Sequence, residues 1–497
     1  MFTSSRFACL ALVGLLTWSH PATAANFPLE ITNIKANGTS GMPASSRIYN
    51  AYPGLDYEIR AAVVGGAFPF TFALTNAPVG MTVDDRGVVR WLDPQADASP
   101  TLVVRDSEGT ERRVSWTVRV TASGFKFVSA GGSSTGNGSI ASPWRTLADV
   151  YNLGAATDIV YFRSGTYSPT QMPRDGIGGP WERVQFDRQR PSTWLAYPGE
   201  RPLINFRPAG DAGAAIRVGN NDAPDGPRAP YIDGFETTNT RFIGFQPISA
   251  GTFRRLRMHD LTEGGDGTNA AFIMTVTNPT PHTGMVIQDC EFYNVAPNSV
   301  TIKVYSQEKI LIENTVHYNA QLGLEIKGDV RQFSVRQNSF YNISATALGG
   351  NMHGGESVQT VRGEILYNIS RAPTAVDINQ DGVAADIYLY RNTFVGRVQV
   401  RNTDSRDGPF RFYNNVIVNN DAGTPAGSHV YHMSVSDPSR VLISNNLVGY
   451  PNQNIVDAGG SLTSAYASYI GSHGHLAPGA LIGGLPTAPR NFRIVPN

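Results

Sequence analysis

Val286-Ile-Gln-Asp-Cys-Glu-Phe-Tyr-Asn294, Ile312-Glu-Asn-Thr-Val-His-Tyr-Asn319 and Val335-Arg-Gln-Asn-Ser-Phe-Tyr-Asn342 are three versions of one phrase, recurring every 23 to 25 residues. Shorter copies follow as Glu364-Ile-Leu-Tyr-Asn368, Tyr390-Arg-Asn-Thr-Phe394, Tyr413-Asn-Asn-Val-Ile417 and Ser444-Asn-Asn-Leu-Val448. Each copy is a short apolar strand, a turn, a second strand and an Asn-rich corner. A period in the twenties, rich in β-branched residues and without a long helical pattern, predicts a stacked β-solenoid. Equivalent strands of successive coils then pair about 4.8 Å apart, and equivalent side chains form ladders. Asn314, Asn338, Asn392 and Asn415 are expected to form one such ladder at a corner, where asparagine tolerates a left-handed backbone and bonds its own copy in the next coil.

Outside the repeat, the first 24 residues carry Arg6, an apolar run from Phe7 to Leu16 and Ala22-Thr-Ala24. This is the pattern of a secretory signal, so a secreted or periplasmic location is expected. No later stretch reaches the roughly 18 apolar residues of a membrane span. Removal of Cys9 with the signal leaves Cys290 as the single thiol, read as a small buried hydrophobe in a strand. The chain has 40 basic and 40 acidic residues and no Lys/Arg block, which argues against a nucleic-acid partner. Fifty-one glycines and thirty-two prolines suit a turn-rich all-β protein.

Between Phe27 and Val120 the chain reads as about seven short strands, among them Tyr57–Val64, Phe70–Leu74, Gly87–Trp91 and Thr101–Arg105, which predicts a β-sandwich. Phe70-Thr-Phe, Gly80-Met-Thr-Val and Gly87-Val-Val-Arg-Trp91 resemble the Ig-like domains found on secreted bacterial enzymes, here without cysteines for the antibody-type disulfide. Thr121-Ala-Ser-Gly124 reads as a linker. Phe127-Val-Ser-Ala-Gly-Gly132, Ser142-Pro-Trp-Arg-Thr-Leu-Ala-Asp-Val-Tyr151 and Asp158-Ile-Val-Tyr-Phe-Arg-Ser-Gly-Thr-Tyr167 resemble the opening of right-handed parallel β-helix proteins of the pectate lyase type. The resemblance implies a short helix capping the first coil, with Ser142 as N-cap and Pro143 at its first position. The expected organisation is signal 1–24, Ig-like sandwich 25–122 and right-handed parallel β-helix 126–497, with an inserted loop over 173–228 and a tail from residue 468 covering the last coil.

Lysine is scarce: only five occur among the 40 basic residues, and two of them close similar phrases, Thr-Ile-Lys303 and Glu-Ile-Lys327. Aligning the apolar strands by these phrases places Lys303, Lys327, Asn379 and Arg401 in one column, with Gly350 or Asn351 on the intervening coil and Tyr305 and His353 nearby. A row of cations suits an anionic polysaccharide, whose carboxylates it would neutralise. Two ammonium groups one coil apart repel, so one of them can serve as a base. β-Elimination needs that combination: a neutralised carboxylate, an acidified carbon-bound proton and a protonated leaving oxygen. Catalytic roles are therefore expected for Lys303, Lys327 and Arg401, and substrate binding for His353, Asn351, Asn379 and Tyr305. His317 and Tyr318 read as strand residues.

Val300-Thr-Ile-Lys-Val-Tyr-Ser306 followed by Leu322-Gly-Leu-Glu-Ile-Lys-Gly328 resembles the paired coils of the chondroitinase B and alginate lyase family of polysaccharide lyases. The resemblance implies a base at Lys303 and an acid at Lys327, where the family has an arginine; lysine keeps the charge and loses the bidentate fork. It also implies calcium, held by acidic residues just before the base. Here Ala296-Pro-Asn-Ser299 offers only Asn298, so no metal ligand set is found and the cofactor stays open. A monomer acting on a uronic-acid polymer is expected.

Two other readings stand beside the lyase. Asp377 and Asp381, with Asp386, Glu325 and Glu356, could provide the acid and base of a glycoside hydrolase, although the Asn-Thr-Asp and Asp-Asp motifs of β-helix polygalacturonases are absent. A binding or adhesive β-helix is the third, since fold alone does not decide activity. Arg401 could also belong to a surface ion-pair cluster with Asp404 and Asp407.

Overall fold

A computed structural model describes residues 26–461 apart from short segments, the longest of them 419–430. The signal, the tail, His353, Glu356, Asp381, Asp404 and Asp407 lie outside the described residues. No described helix is long and apolar enough to cross a membrane.

The protein is all-β, dominated by two large sheets of 12 and 19 strands. The 12-stranded sheet is parallel throughout and takes one strand from each pass of the chain, so its neighbours in space are a full coil apart in sequence. Val160, Trp194, Ile232, Phe253, Ile287, Ile312, Val335, Ile365, Leu389 and Phe412 pair in succession across it, and every one is 0 % exposed. Stacked β-branched and aromatic side chains thus supply the core, at roughly 1.5–3 kcal/mol per fully buried residue.

The corners carry the asparagine ladder, with altered membership. Asn338 donates to Asn368 (3.0 Å), Asn368 to Asn392 (3.0 Å) and Asn392 to Asn415 (2.9 Å). Each amide also bonds a main-chain carbonyl, as Asn368 does with Val335 at 2.8 Å. Thr315, not Asn314, occupies the preceding rung, its hydroxyl 2.7 Å from Asn338 Oδ1. The left-handed residues are the ones just before: Asn314, Gln337, Tyr367, Arg391 and Asn414, with φ from 52° to 56°. The backbone turns there, which aims the next side chain inward, where a carboxamide can satisfy buried amides of two coils. Asn368→Ala would orphan buried donors of Asn338 and is expected to lower stability by about 3 kcal/mol in denaturant melts, since each unsatisfied group costs ~1–3 kcal/mol.

The capping helix spans Leu147–Leu153, and its N-cap is Thr146 in a capping box with Asp149. Ser142 was the expected cap. The intervening residues are taken instead by an extended pairing, with Trp144 N–H donating to Phe127 O (2.9 Å) and the indole buried.

Residues before 120 form two three-stranded antiparallel sheets, Tyr57–Arg60 with Val88–Trp91 and Met81–Val83, and Thr71–Thr75 with Thr101–Arg105 and Glu111–Ser115. Their core is shared with the 12-stranded sheet, since Tyr57 and Trp91 cluster with Phe125, Tyr161 and Tyr231. Charged groups close the junction: Arg60 contacts Asp289 (2.7 Å) and Glu313 (2.9 Å), and Arg254 contacts Glu58 (2.5 Å). In the expected linker, the Thr121 N–H donates to Ala51 O, and Ala122, Ser123 and Gly124 are exposed.

Glu364 is buried at this junction and accepts from Ser334 Oγ. Burial pushes its carboxyl up to about 7, against opposing contributions from Ser334, Arg336 and the Gly65 N–H. A raised carboxyl is stable while protonated, so its contribution is present below the unfolded value near 4.5 and is lost as pH rises through 7. Glu364→Gln should therefore gain on wild type between pH 4.5 and 8, by on the order of 3 kcal/mol in paired melts.

Candidate functional site

Five neighbouring strands of the 19-stranded sheet carry the candidate residues: Val300–Tyr305, Val316–Lys327, Ser339–Asn351, Ile369–Asn379 and Thr393–Arg401. Their register is pinned by an inward apolar row, Ile302, Leu324, Leu348, Val376 and Val398. Alternation along a strand sends the next residue to the outer face. The outer column is therefore Lys303, Glu325, Gly349, Asp377 and Gln399, preceded by Met274.

This corrects the expected alignment. Lys327 pairs with Tyr305, not with the strand position of Lys303, while Asn351, Asn379 and Arg401 pair in turn on the later strands. Lys303 therefore stands in a column two residues before that of Tyr305 and Lys327. The corner before these strands helps set the register: Thr301 Oγ1 lies 2.6 Å from both His317 Nδ1 and Gly323 O, and Thr315 Oγ1 lies 2.7 Å from His317 Nε2. Burial pushes His317 down to about 3, so it is a neutral structural ring.

Glu325 is the neighbour that the sequence alignment missed. Its Oε2 is 3.0 Å from Lys303 Nζ; the lysine side chain is 0 % exposed and the glutamate 19 %. The ammonium also sits 5.3 Å from the centre of the Tyr305 ring, and Tyr305 packs against a hydrophobic cluster that includes Met274, the strand neighbour of Lys303, and Val300. Burial, with the Glu325 charge adding to it, pushes the Tyr305 phenol up to about 12, which leaves it a proton donor. Asp377 is buried to 9 % exposure.

Between the two carboxylates, Gly349 presents no side chain. A methyl group there would meet Thr346 Cγ2 at 3.4 Å and Asp377 O at 4.0 Å, ordinary contact distances, and the backbone is outside the left-handed region. The spacing of the apolar row was the available signal for this glycine: counting from Ile302 through Leu324 and Leu348 lands on it.

The other carboxylate with a described side chain, Asp386, lies on the opposite sheet and bonds Arg411 at 3.1 Å. For calcium, Asn298 is exposed and its N–H donates to Gln321 Oε1, while Glu325 is engaged by Lys303. Among the described residues no three His, Cys, Asp or Glu side chains come together to hold a metal ion.

No protein-family model matches the chain, and no curated protein does. Similar solved structures include XylC in complex with xylose, at 12% identity and TM-score 0.36 over 67% of this chain and 88% of that one. A rhamnogalacturonan lyase is similar at 15% identity and TM-score 0.36, over 65% of this chain and 87% of that one. A putative alpha-galactosidase of Bacteroides fragilis follows at 12% identity and TM-score 0.18, over 44% and 59%. These likenesses are too slight to carry an argument about activity.

Proposed function

We propose that this chain is a secreted polysaccharide-cleaving enzyme, a right-handed parallel β-helix with an Ig-like module, in which Glu325 and Asp377 perform glycoside hydrolysis. The observation that carries the reading is the column itself, two carboxylates on one outer face with the bare Gly349 between them. Two rungs of about 4.8 Å separate their Cα atoms by roughly 9.6 Å, room for a sugar and a water. Carboxyl groups ~6.5–9.5 Å apart belong to inverting hydrolases, and those ~5–5.5 Å apart to retaining ones. Glu325, beside the Lys303 ammonium, takes the role of base and draws the proton from water as it attacks the anomeric carbon; Asp377 protonates the departing glycosidic oxygen. Lys303 orients Glu325.

A second reading is favoured by Lys303 beside Tyr305 and by the row of Lys327, Asn379 and Arg401. In it Lys303 abstracts the proton next to a uronate carboxylate, Lys327 or Arg401 neutralises that carboxylate, and the bond breaks by β-elimination. Purified residues 25–497, incubated with neutral and uronate polymers, separate the two. New reducing ends without ultraviolet absorbance, and an inverted anomer by NMR, are expected. Absorbance from a C4–C5 unsaturated product would replace hydrolysis with elimination, and tight binding without either product would leave a binding protein.

A further inference from the structure

We infer that a cleft beside the earlier coils is a second sugar-binding site, which holds a neutral stretch of the polysaccharide through its hydroxyl groups. The inference rests on the reading of this protein as polysaccharide-cleaving and adds a place, away from Glu325 and Asp377, where the polymer is gripped. The cleft has a volume of about 570 Å³ and is lined by the turn at 208–210 and by the side chains of Arg207, Asp211, Asn239 and Thr262. Clefts of ~300–1,000 Å³ suit small ligands. Arg207, Asp211 and Asn239 are partly buried and Thr262 is exposed, so a ligand reaches them from solvent.

Three coils build the cleft. Its residues follow the strands Leu203–Asn205, Glu236–Thr238 and Arg257–Leu261, where the chain turns toward Ala215–Val218, Ile243–Pro247 and Ala271–Met274. Ile243 pairs with Ala271, Ala271 with Val300 and Val300 with Leu322. The middle coil of the cleft is thus three rungs of ~4.8 Å, about 14 Å, from the strand that carries Glu325. A polymer laid along the coils spans both places.

Charge selects the class of ligand. Arg174 Nη2 lies 2.6 Å from both oxygens of Asp211, and its Nη1 lies 2.7 Å from Glu182. Glu263 is shared by Arg207 (2.6 Å) and Arg241 (3.0 Å). Three guanidinium groups therefore meet three carboxylates, which leaves no net charge to draw an anion, and among the described residues no acidic cluster gathers for a metal ion. Hydrogen-bonding capacity is what the lining offers. Asn239 Nδ2 donates to Asn205 Oδ1 (3.2 Å) and Thr262 Oγ1 to the Thr240 carbonyl (3.2 Å), so the Asn239 carbonyl oxygen and the Thr262 hydroxyl oxygen have capacity to accept. Arg207 uses one amino group on Glu263 and has a second to donate. A donor beside two acceptors matches sugar hydroxyls, each of which donates and accepts.

The test titrates the mature full-length Asp377→Asn protein with xylohexaose, mannohexaose and cellohexaose, and separately with hexagalacturonate and inorganic phosphate, by calorimetry. One neutral hexasaccharide should bind with a Kd of about 1 mM, the affinity that a few hydrogen bonds supply. Adding Arg207→Met and Asn239→Gly should weaken it about tenfold without moving the melting temperature by more than a few degrees; glycine suits the left-handed φ of 54° at Asn239. Neutral binding unchanged by the two substitutions would overturn the site, as would no binding of any neutral hexasaccharide at tenfold above the expected Kd. Binding of hexagalacturonate or phosphate that the substitutions abolish would assign the cleft to anions and also overturn it. In the otherwise wild-type protein the same pair of substitutions should raise KM on the polymer about tenfold at constant kcat and leave cleavage of a disaccharide glycoside unaffected. Weakened binding in a protein whose wild type cleaves no polysaccharide would keep the cleft and remove the catalytic reading, whereas binding and KM both unmoved in an active enzyme would remove the cleft alone.

Discussion

Asp377→Asn is expected to lower kcat by about a thousandfold on the best substrate while leaving KM near the wild-type value, because general acid catalysis contributes ~10²–10⁴-fold. Asparagine keeps the shape and the column and removes only the exchangeable proton. The loss should be smallest on substrates whose leaving group departs unaided, such as an activated aryl glycoside, and that dependence separates an acid from a residue that merely packs. Glu325→Gln should be as inactive on every substrate. It also takes a carboxylate 3.0 Å away from the fully buried Lys303 ammonium, and breaking a buried pair costs about 3–5 kcal/mol. Lys303→Met with Glu325→Gln removes both charges and should recover much of that stability without recovering activity. Activity in the double variant within tenfold of wild type would end the assignment of Glu325 as base. Retention of full activity by Asp377→Asn would do the same for the acid.

Gly349→Leu should abolish cleavage and spare the fold. The glycine has no left-handed backbone to protect, and the first added carbon meets its neighbours at 3.4 Å and 4.0 Å, ordinary contact distances. A leucine would then fill the space between Glu325 and Asp377, where the sugar must lie. A displacement of ~1 Å can already cost about a hundredfold in rate, so no measurable turnover is expected, with a melting temperature within a few degrees of wild type. Gly349→Ala should sit between the two, raising KM more than it lowers kcat. A fully active leucine variant would place the substrate elsewhere.

Much of this was legible in the chain. The recurrence of Tyr-Asn corners every 23 to 25 residues in the best copies announces stacked all-β coils, because a coil that must pair with its copy repeats its apolar residues and its turn. The asparagine ladder was legible for the same reason, and the membership of Asn314 was not: Asn314 and Thr315 are adjacent, and only the left-handed φ of 54° at Asn314 decides which side chain turns inward.

The site shows the same limit more sharply. Side chains along a strand alternate with a period of two, so a slip of two residues between neighbouring strands preserves every inside and outside assignment. Ile302-Lys303 and Ile326-Lys327 therefore align as well by pattern as Ile302 with Leu324 does. The sequence by itself determined the all-β coils and the buried apolar rows, and strand alternation sets Lys303, Glu325, Lys327, Asp377 and Asn379 on the face away from those rows. Only the tertiary structure decided which of them are neighbours: the packed corner of Thr301, His317 and Gly323 favours one register over its two-residue alternative, and that register puts Glu325 against Lys303 and the bare Gly349 between Glu325 and Asp377.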